Sequence, residues 1–153
     1  MPKNNDEEID QGARGQRIIA LVALLTTFLG FANWIRAGVA YQYANRLPDA
    51  PLTVPWEYLV TIGAGWGIVF FICTFGLIRL RPWARWGTLG AVTLYEAHAW
   101  FNRLMFDANV AARQRYPRDL LITGLTLVFT WIALQLTAAR LAFERTSEEE
   151  DQE

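Results

Sequence analysis

The stretch L-Y-E-A-H-A-W-F-N-R, residues 94 to 103, places a carboxylic acid, the chain's single histidine, an amide and a guanidinium within two turns of one another. Glu96 and His98 are types that exchange protons, and the imidazole does so near neutral pH. Asn102 and Arg103 are types that hold a polar or anionic group, Arg103 through its planar fork of donors. On a helix turning 100° per residue, Glu96, Trp100 and Arg103 share one strip, continued by Asp107. Tyr95, His98 and Asn102 form the neighbouring strip. No nucleophile elbow, phosphate-cradling glycine loop or zinc-type spacing stands beside them, so no metal site or catalytic set is expected. A single histidine also lacks the second axial ligand that haem would ask of this chain, and no cofactor is predicted.

The elements that position this stretch are read from the apolar runs. Of 153 residues, 53% are hydrophobic and the formal net charge is −1. That balance averages two acidic ends, N-N-D-E-E-I-D (4–10) and S-E-E-E-D-Q-E (147–153), and a basic, aromatic middle. Ends of this kind bury too little apolar surface to offset their ordering entropy, so 1–15 and 146–153 are expected to be disordered. Between them lie four apolar runs, at about 18–40, 56–78, 83–105 and 118–142, each long enough for about 30 Å of hydrocarbon. A cleaved leader ending at G-V-A (38–40) competes for the first run. The run is long for a leader, and Asn33, Trp34 and Arg36 interrupt the approach to that site, so it reads as a retained span. Pro55, Pro82 and Pro117 open the other three, as suits a first helical turn whose N–H groups lack partners. Glu57 and Asp119 follow in those turns, where the helix dipole favours negative charge. The expected fold is all-α: an integral membrane four-helix bundle with short loops.

Rise along the helices sets the depth of each polar group. Counted from Trp86, Glu96 lies ~15 Å and His98 ~18 Å along the third span, with Asn102 and Arg103 at ~24–26 Å. Counted from Ile18, Asn33 lies at ~22 Å and Arg36 at ~27 Å along the first, which runs the same way. Glu57 begins the second span from that same side. The polar groups therefore gather in one half of the bundle, turned away from lipid. Two arrangements fit. In one, Glu96 pairs with Arg36 or Arg103, and His98 bonds Asn33, Tyr95 or a carbonyl, fixing helix register without chemistry. In the other, Glu96, His98, Asn33, Arg36, Asn102, Arg103, Tyr95 and Glu57 line an open polar pocket that binds a small ligand or relays protons.

Packing signals accompany these groups. Gly63 and Gly67 form a G-x-x-x-G pair, and Gly87 and Ala91 repeat that spacing on the third span. Small residues of this kind let helix backbones approach closely in lipid. Packing of span two on span three is the first expectation, and a homodimer face the alternative. Thr123, Thr126 and Thr130 on the fourth span are expected to bond a backbone or a neighbouring helix. Cys73, the one cysteine, has no intrachain partner and sits among apolar residues as a small hydrophobe.

The segment R-L-R-P-W-A-R (79–85) is a tight basic hairpin carrying Arg79, Arg81 and Arg85. Its simplest role is topological, with arginines meeting anionic headgroups at the cytoplasmic face. Docking of an acidic partner segment is the other reading. With four spans, Lys3, Arg14, Arg17, Arg79, Arg81, Arg85, Arg140 and Arg145 share one side. Arg36, Arg46, Arg103, Arg113, Arg115 and Arg118 share the other, and eight against six puts both termini in the cytoplasm.

The run G-L-I-R-L-R-P-W-A-R-W (76–86) resembles a hairpin found in small, uncharacterised bacterial four-span membrane proteins. There too a span ends in paired arginines and the next opens with P-W-A-R or R-W-A-R. The resemblance implies a bacterial cytoplasmic membrane and a bundle over about residues 16–145, with no activity or ligand attached. The leading expectation is a non-enzymatic accessory or scaffold component of a membrane assembly, its partners the lipid bilayer and another membrane protein or a second copy, with no nucleic acid. A ligand-binding or transport protein using the polar pocket around Glu96 and His98 is the alternative.

Overall fold

The computed structural model describes residues 5–46, 55–106 and 114–136. Within them the fold is four helices: α1 (Asn5–Arg46), α2 (Trp56–Ile78), α3 (Pro82–Phe106) and α4 (Tyr116–Gln135). Successive helices pack antiparallel and α4 closes against α1, giving an up-down-up-down bundle. α1, α2 and α4 are long and apolar enough to cross a membrane. α3 has 25 residues and the length to cross. It falls short of the other three in apolar character, because Glu96, His98, Asn102 and Arg103 interrupt it. The expectation of four apolar spans is therefore met by three helices and one polar one.

The helix boundaries differ in detail from those expected. α1 begins at Asn5, so residues 5–15, read as part of a disordered tail, are helical. At 42 residues α1 extends ~63 Å, about twice a hydrocarbon core. Pro82 is the first residue of α3 as expected, but Pro55 is the N-cap of α2. Pro117 follows Tyr116 within the first turn of α4. The acidic C-terminal segment, the end of the fourth run beyond Leu136, and Lys3, Asp107, Arg113, Arg140 and Arg145 lie outside the described residues.

The apolar core sits at the end of the bundle that carries the basic hairpin. Ile19, Val22 and Ala23 of α1 meet Leu77 of α2, Ala84 and Leu89 of α3, and Ala133 and Leu134 of α4. The hairpin itself is a tight reversal. Arg81 N–H donates to the Gly76 carbonyl at 3.0 Å and Leu80 N–H to the Leu77 carbonyl at 3.1 Å. This is a Schellman-type close in which Leu80 takes the left-handed conformation, φ 51°. A glycine would adopt that φ more readily, but Leu80 packs its side chain against the core. A Cβ at Gly76 would stand 2.7 Å from the Trp83 ring, so only glycine lets α3 start this close to α2.

Arg85 does more than mark topology. Its Nε donates to the Leu134 carbonyl at 3.0 Å and its Nη2 to Gln135 Oε1 at 2.6 Å. A cation thus satisfies one orphan carbonyl at the end of α4 and ties that end to the start of α3.

The glycine pair of α2 packs on α1, which corrects the expectation of an α2–α3 contact. A Cβ at Gly63 would stand 3.1 Å from the Asn33 carbonyl oxygen and 3.1 Å from the Ala37 Cβ. At Gly67 it would overlap the Trp34 indole and stand 3.2 Å from the Gly30 carbonyl. Gly87 is exposed and meets only Trp83 of its own helix, whereas Ala91 is buried. The α1–α2 seam continues as Thr26 and Thr74, both buried, whose hydroxyls lie 2.8 Å apart. Phe71 closes it edge-on against Phe31 and Trp34.

Candidate functional site

The two strips of α3 face different neighbours. Tyr95, His98 and Asn102 turn toward α1 and α2. There they join Asn33 and Arg36 of α1, Tyr58, Gly63 and Trp66 of α2, and Arg103 around a cleft of about 250 Å³. Close approach of α1 and α2 at Gly63 forms one edge of this cleft. The cleft lies at the end of the bundle opposite the apolar core, where α1 and α3 finish and α2 begins.

Inside it, three polar side chains form a short string. Tyr58 O–H donates to Asn102 Oδ1 at 2.9 Å, and Asn102 Nδ2 lies 2.9 Å from His98 Nε2. Tyr58 O–H is itself 3.5 Å from the same imidazole nitrogen. With the amide N–H donating to Nε2, the proton of neutral His98 resides on Nδ1. No described residue accepts a hydrogen bond from that nitrogen. Aromatic rings support the string. Trp66 meets Tyr95 edge-on with ring centroids 5.4 Å apart, and Phe70 meets Tyr95 at 5.1 Å. Trp66 and His98 are 6.1 Å apart. The site thus combines an aromatic wall with an imidazole whose orientation is set by a neighbouring amide.

Glu96 is not in this cleft. The residue is 8% exposed and its carboxylate faces α4, where Oε2 accepts a 2.7 Å hydrogen bond from the Thr123 hydroxyl. Trp100 Nε1 donates to the same hydroxyl at 3.1 Å, so Thr123 links an indole to a carboxylate. Neither Arg36 nor Arg103 pairs with Glu96, in contrast to expectation. Arg103 Nε lies 3.6 Å from Asp119 Oδ2, and its guanidinium stacks over the Trp100 ring. Its Nη1 is buried and hydrogen-bonds to no described residue. Asn33 donates to the Leu29 carbonyl of its own helix at 2.8 Å, so it lines the cleft without bonding His98. Arg36 is exposed and no described residue pairs with it. Glu57 is exposed on the first turn of α2 and does not line the cleft.

The sequence-predicted pocket is therefore divided. Asn33, Arg36, Tyr95, His98, Asn102 and Arg103 come together, while Glu96 and Glu57 stand apart. Tyr58 and Trp66 complete the site and were not among the candidates. Their spacing of eight residues on α2 puts both on one helical face, a signal that periodicity alone carries but that ordinary core packing also produces. Among the described residues no three His, Cys, Asp or Glu side chains gather closely enough to hold a metal ion.

The chemistry open to the cleft is binding. It offers donors from two arginines and an imidazole, and no described carboxylate lines it. Comparison with family models, curated proteins and solved structures finds no match to this chain.

Proposed function

We propose that this chain is a small, non-enzymatic multi-pass membrane protein that binds a small ligand in the cleft between α1, α2 and α3. The observation that carries this reading is the convergence of His98, Asn102, Tyr58 and Arg36 from three helices on one aromatic-walled opening. A cleft of about 250 Å³ is just below the size typical of drug-sized ligands and suits a headgroup or a small metabolite. Polar groups on a membrane helix are functional candidates, and here they are turned inward on the one helix that lacks a long apolar stretch.

In this reading α3 crosses the membrane with the other three. It is long enough, its polar strips are covered by α1, α2 and α4, and the tight Arg79–Arg81 reversal returns the chain directly from α2. The arginine distribution supports both termini in the cytoplasm and the cleft on the outer face, and the hairpin resemblance supports a bacterial cytoplasmic membrane.

Extraction in mild detergent followed by native mass spectrometry tests the reading. A small molecule should accompany the protein and be lost from His98→Ala and Asn102→Ala. Glu96→Gln, which the fold places on the far strip, should retain it. Loss on Glu96→Gln with retention on His98→Ala would reverse the assignment.

An accessory or scaffold role is the second reading, with a partner membrane protein or a second copy against α4. The observation favouring it is the broad apolar face of that helix: Leu121, Leu125, Val128 and Ile132 are all exposed. Lipid covers such a face equally well, so the same spectra decide it by showing or lacking a protein partner.

A further inference from the structure

Within the ligand-binding reading, on which this inference rests, the cleft also indicates the class of ligand. We infer that it takes an anionic oxyacid group, a phosphate or carboxylate, on Arg36 and Arg103, with an apolar or ring-shaped body against Trp66 and Tyr95.

Three observations converge. The first is a surplus of donors. Arg36 is exposed at the cleft and pairs with no described residue, and Arg103, with a partly exposed side chain, also lines it. An exposed, unpaired guanidinium such as that of Arg36 gains charge-assisted hydrogen bonds from an incoming oxyanion. Asp119 partly balances Arg103 through Nε at 3.6 Å, and it is not among the residues lining the cleft. The second is charge: among the described residues two arginines and no carboxylate line the cleft. The third is depth. Asn102 and Arg103 stand at the last turn of α3, while Trp66 and Tyr95 lie two to three turns further in. A ligand lying along the cleft meets charge at its mouth and rings below, the polarity of an amphiphile.

The anionic group has two possible sources, an acidic phospholipid entering from the bilayer or a water-soluble anion entering from the aqueous side. Both use the same contacts, because arginine recognises phosphate and carboxylate through the same planar fork.

The test uses the full chain reconstituted in vesicles of phosphatidylcholine, with or without an equal share of phosphatidylglycerol. Native mass spectrometry reads lipid retained, and tryptophan emission reads titration with inorganic phosphate or benzoate, with Trp66→Phe identifying the Trp66 signal. Arg36→Gln is the decisive variant, since Arg36 holds no described side chain and its loss should leave the fold intact. Retention of phosphatidylglycerol that falls about tenfold or more in Arg36→Gln, and recovers in Arg36→Lys, supports a lipid source. A saturable Trp66 response to phosphate or benzoate that weakens by the same factor supports a soluble source. Equal retention of phosphatidylcholine or a neutral quinone by wild type and Arg36→Gln overturns the anion assignment and leaves the cleft a ligand site. No bound molecule and no Trp66 response under any condition overturns both.

Discussion

The carboxylate of Glu96 and the imidazole of His98 stand two positions apart and meet different physical demands. Glu96 is buried against α4, and the Thr123 hydroxyl is the group that both satisfies it and accepts from Trp100. Thr123→Val keeps the shape of the side chain and removes the hydroxyl, leaving a carboxylate and an indole N–H without their described partner. The expected cost is about 1–3 kcal/mol, from leaving buried polar groups unsatisfied. Thr123→Ser should restore most of it. His98→Ala removes a half-buried ring, while Tyr58 and Asn102 keep their 2.9 Å bond to each other. It should cost less than Thr123→Val, under about 1–2 kcal/mol. Thermal unfolding of the three variants in one detergent ranks them. A His98→Ala loss exceeding that of Thr123→Val would mean that the imidazole, not the carboxylate, holds the bundle together.

At the scale of the element, the α1–α2 seam decides the shape of the cleft. Gly63 meets the backbone of α1 at Asn33 and Ala37, so a larger residue there has to push the two helices apart. Gly63→Leu is expected to destabilise by about 1–3 kcal/mol through overpacking and to widen the cleft that Gly63 lines. Gly65→Ala, where an added Cβ meets nothing within 4 Å, should be neutral or slightly stabilising because alanine favours helix. Unfolding midpoints of the pair check this, and equal destabilisation would remove the seam as the cause. The glycine spacing was legible in the sequence as a close contact, but the partner was not. Small residues announce proximity without saying which neighbour approaches, and α1 answers with Gly30 and Ala37 flanking a tryptophan. The two strips of α3 were legible for a firmer reason: helical angle alone separates Tyr95, His98 and Asn102 from Glu96 and Trp100. What angle does not encode is the rotation of α4, which brings Thr123 rather than an arginine to Glu96. Depth alone suggested a single polar layer, and the helices divide it in two.

For the whole molecule, topology turns on how α3, which lacks the long apolar stretch of the other three, sits with them. The bundle runs up-down-up-down with a closed apolar core at the hairpin end and the cleft at the other. If all four helices cross, Arg46 at the end of α1 and Arg115 before α4 lie on one side, and Arg79 lies on the other. If α3 does not cross while α1, α2 and α4 do, Arg46 and Arg115 fall on opposite sides. Single cysteines placed by Arg46→Cys, Arg79→Cys and Arg115→Cys in a Cys73→Ser background separate these cases in intact cells. An impermeant maleimide should label Arg46→Cys and Arg115→Cys and spare Arg79→Cys until the membrane is opened. Cys73 is only 4% exposed, so its replacement by serine keeps a similar volume while removing any background thiol. Labelling of Arg46→Cys without Arg115→Cys would place α3 on one face of the bilayer and expose its polar strips to water. The cleft would then be an interfacial groove, and its charge would select a soluble anion over a lipid.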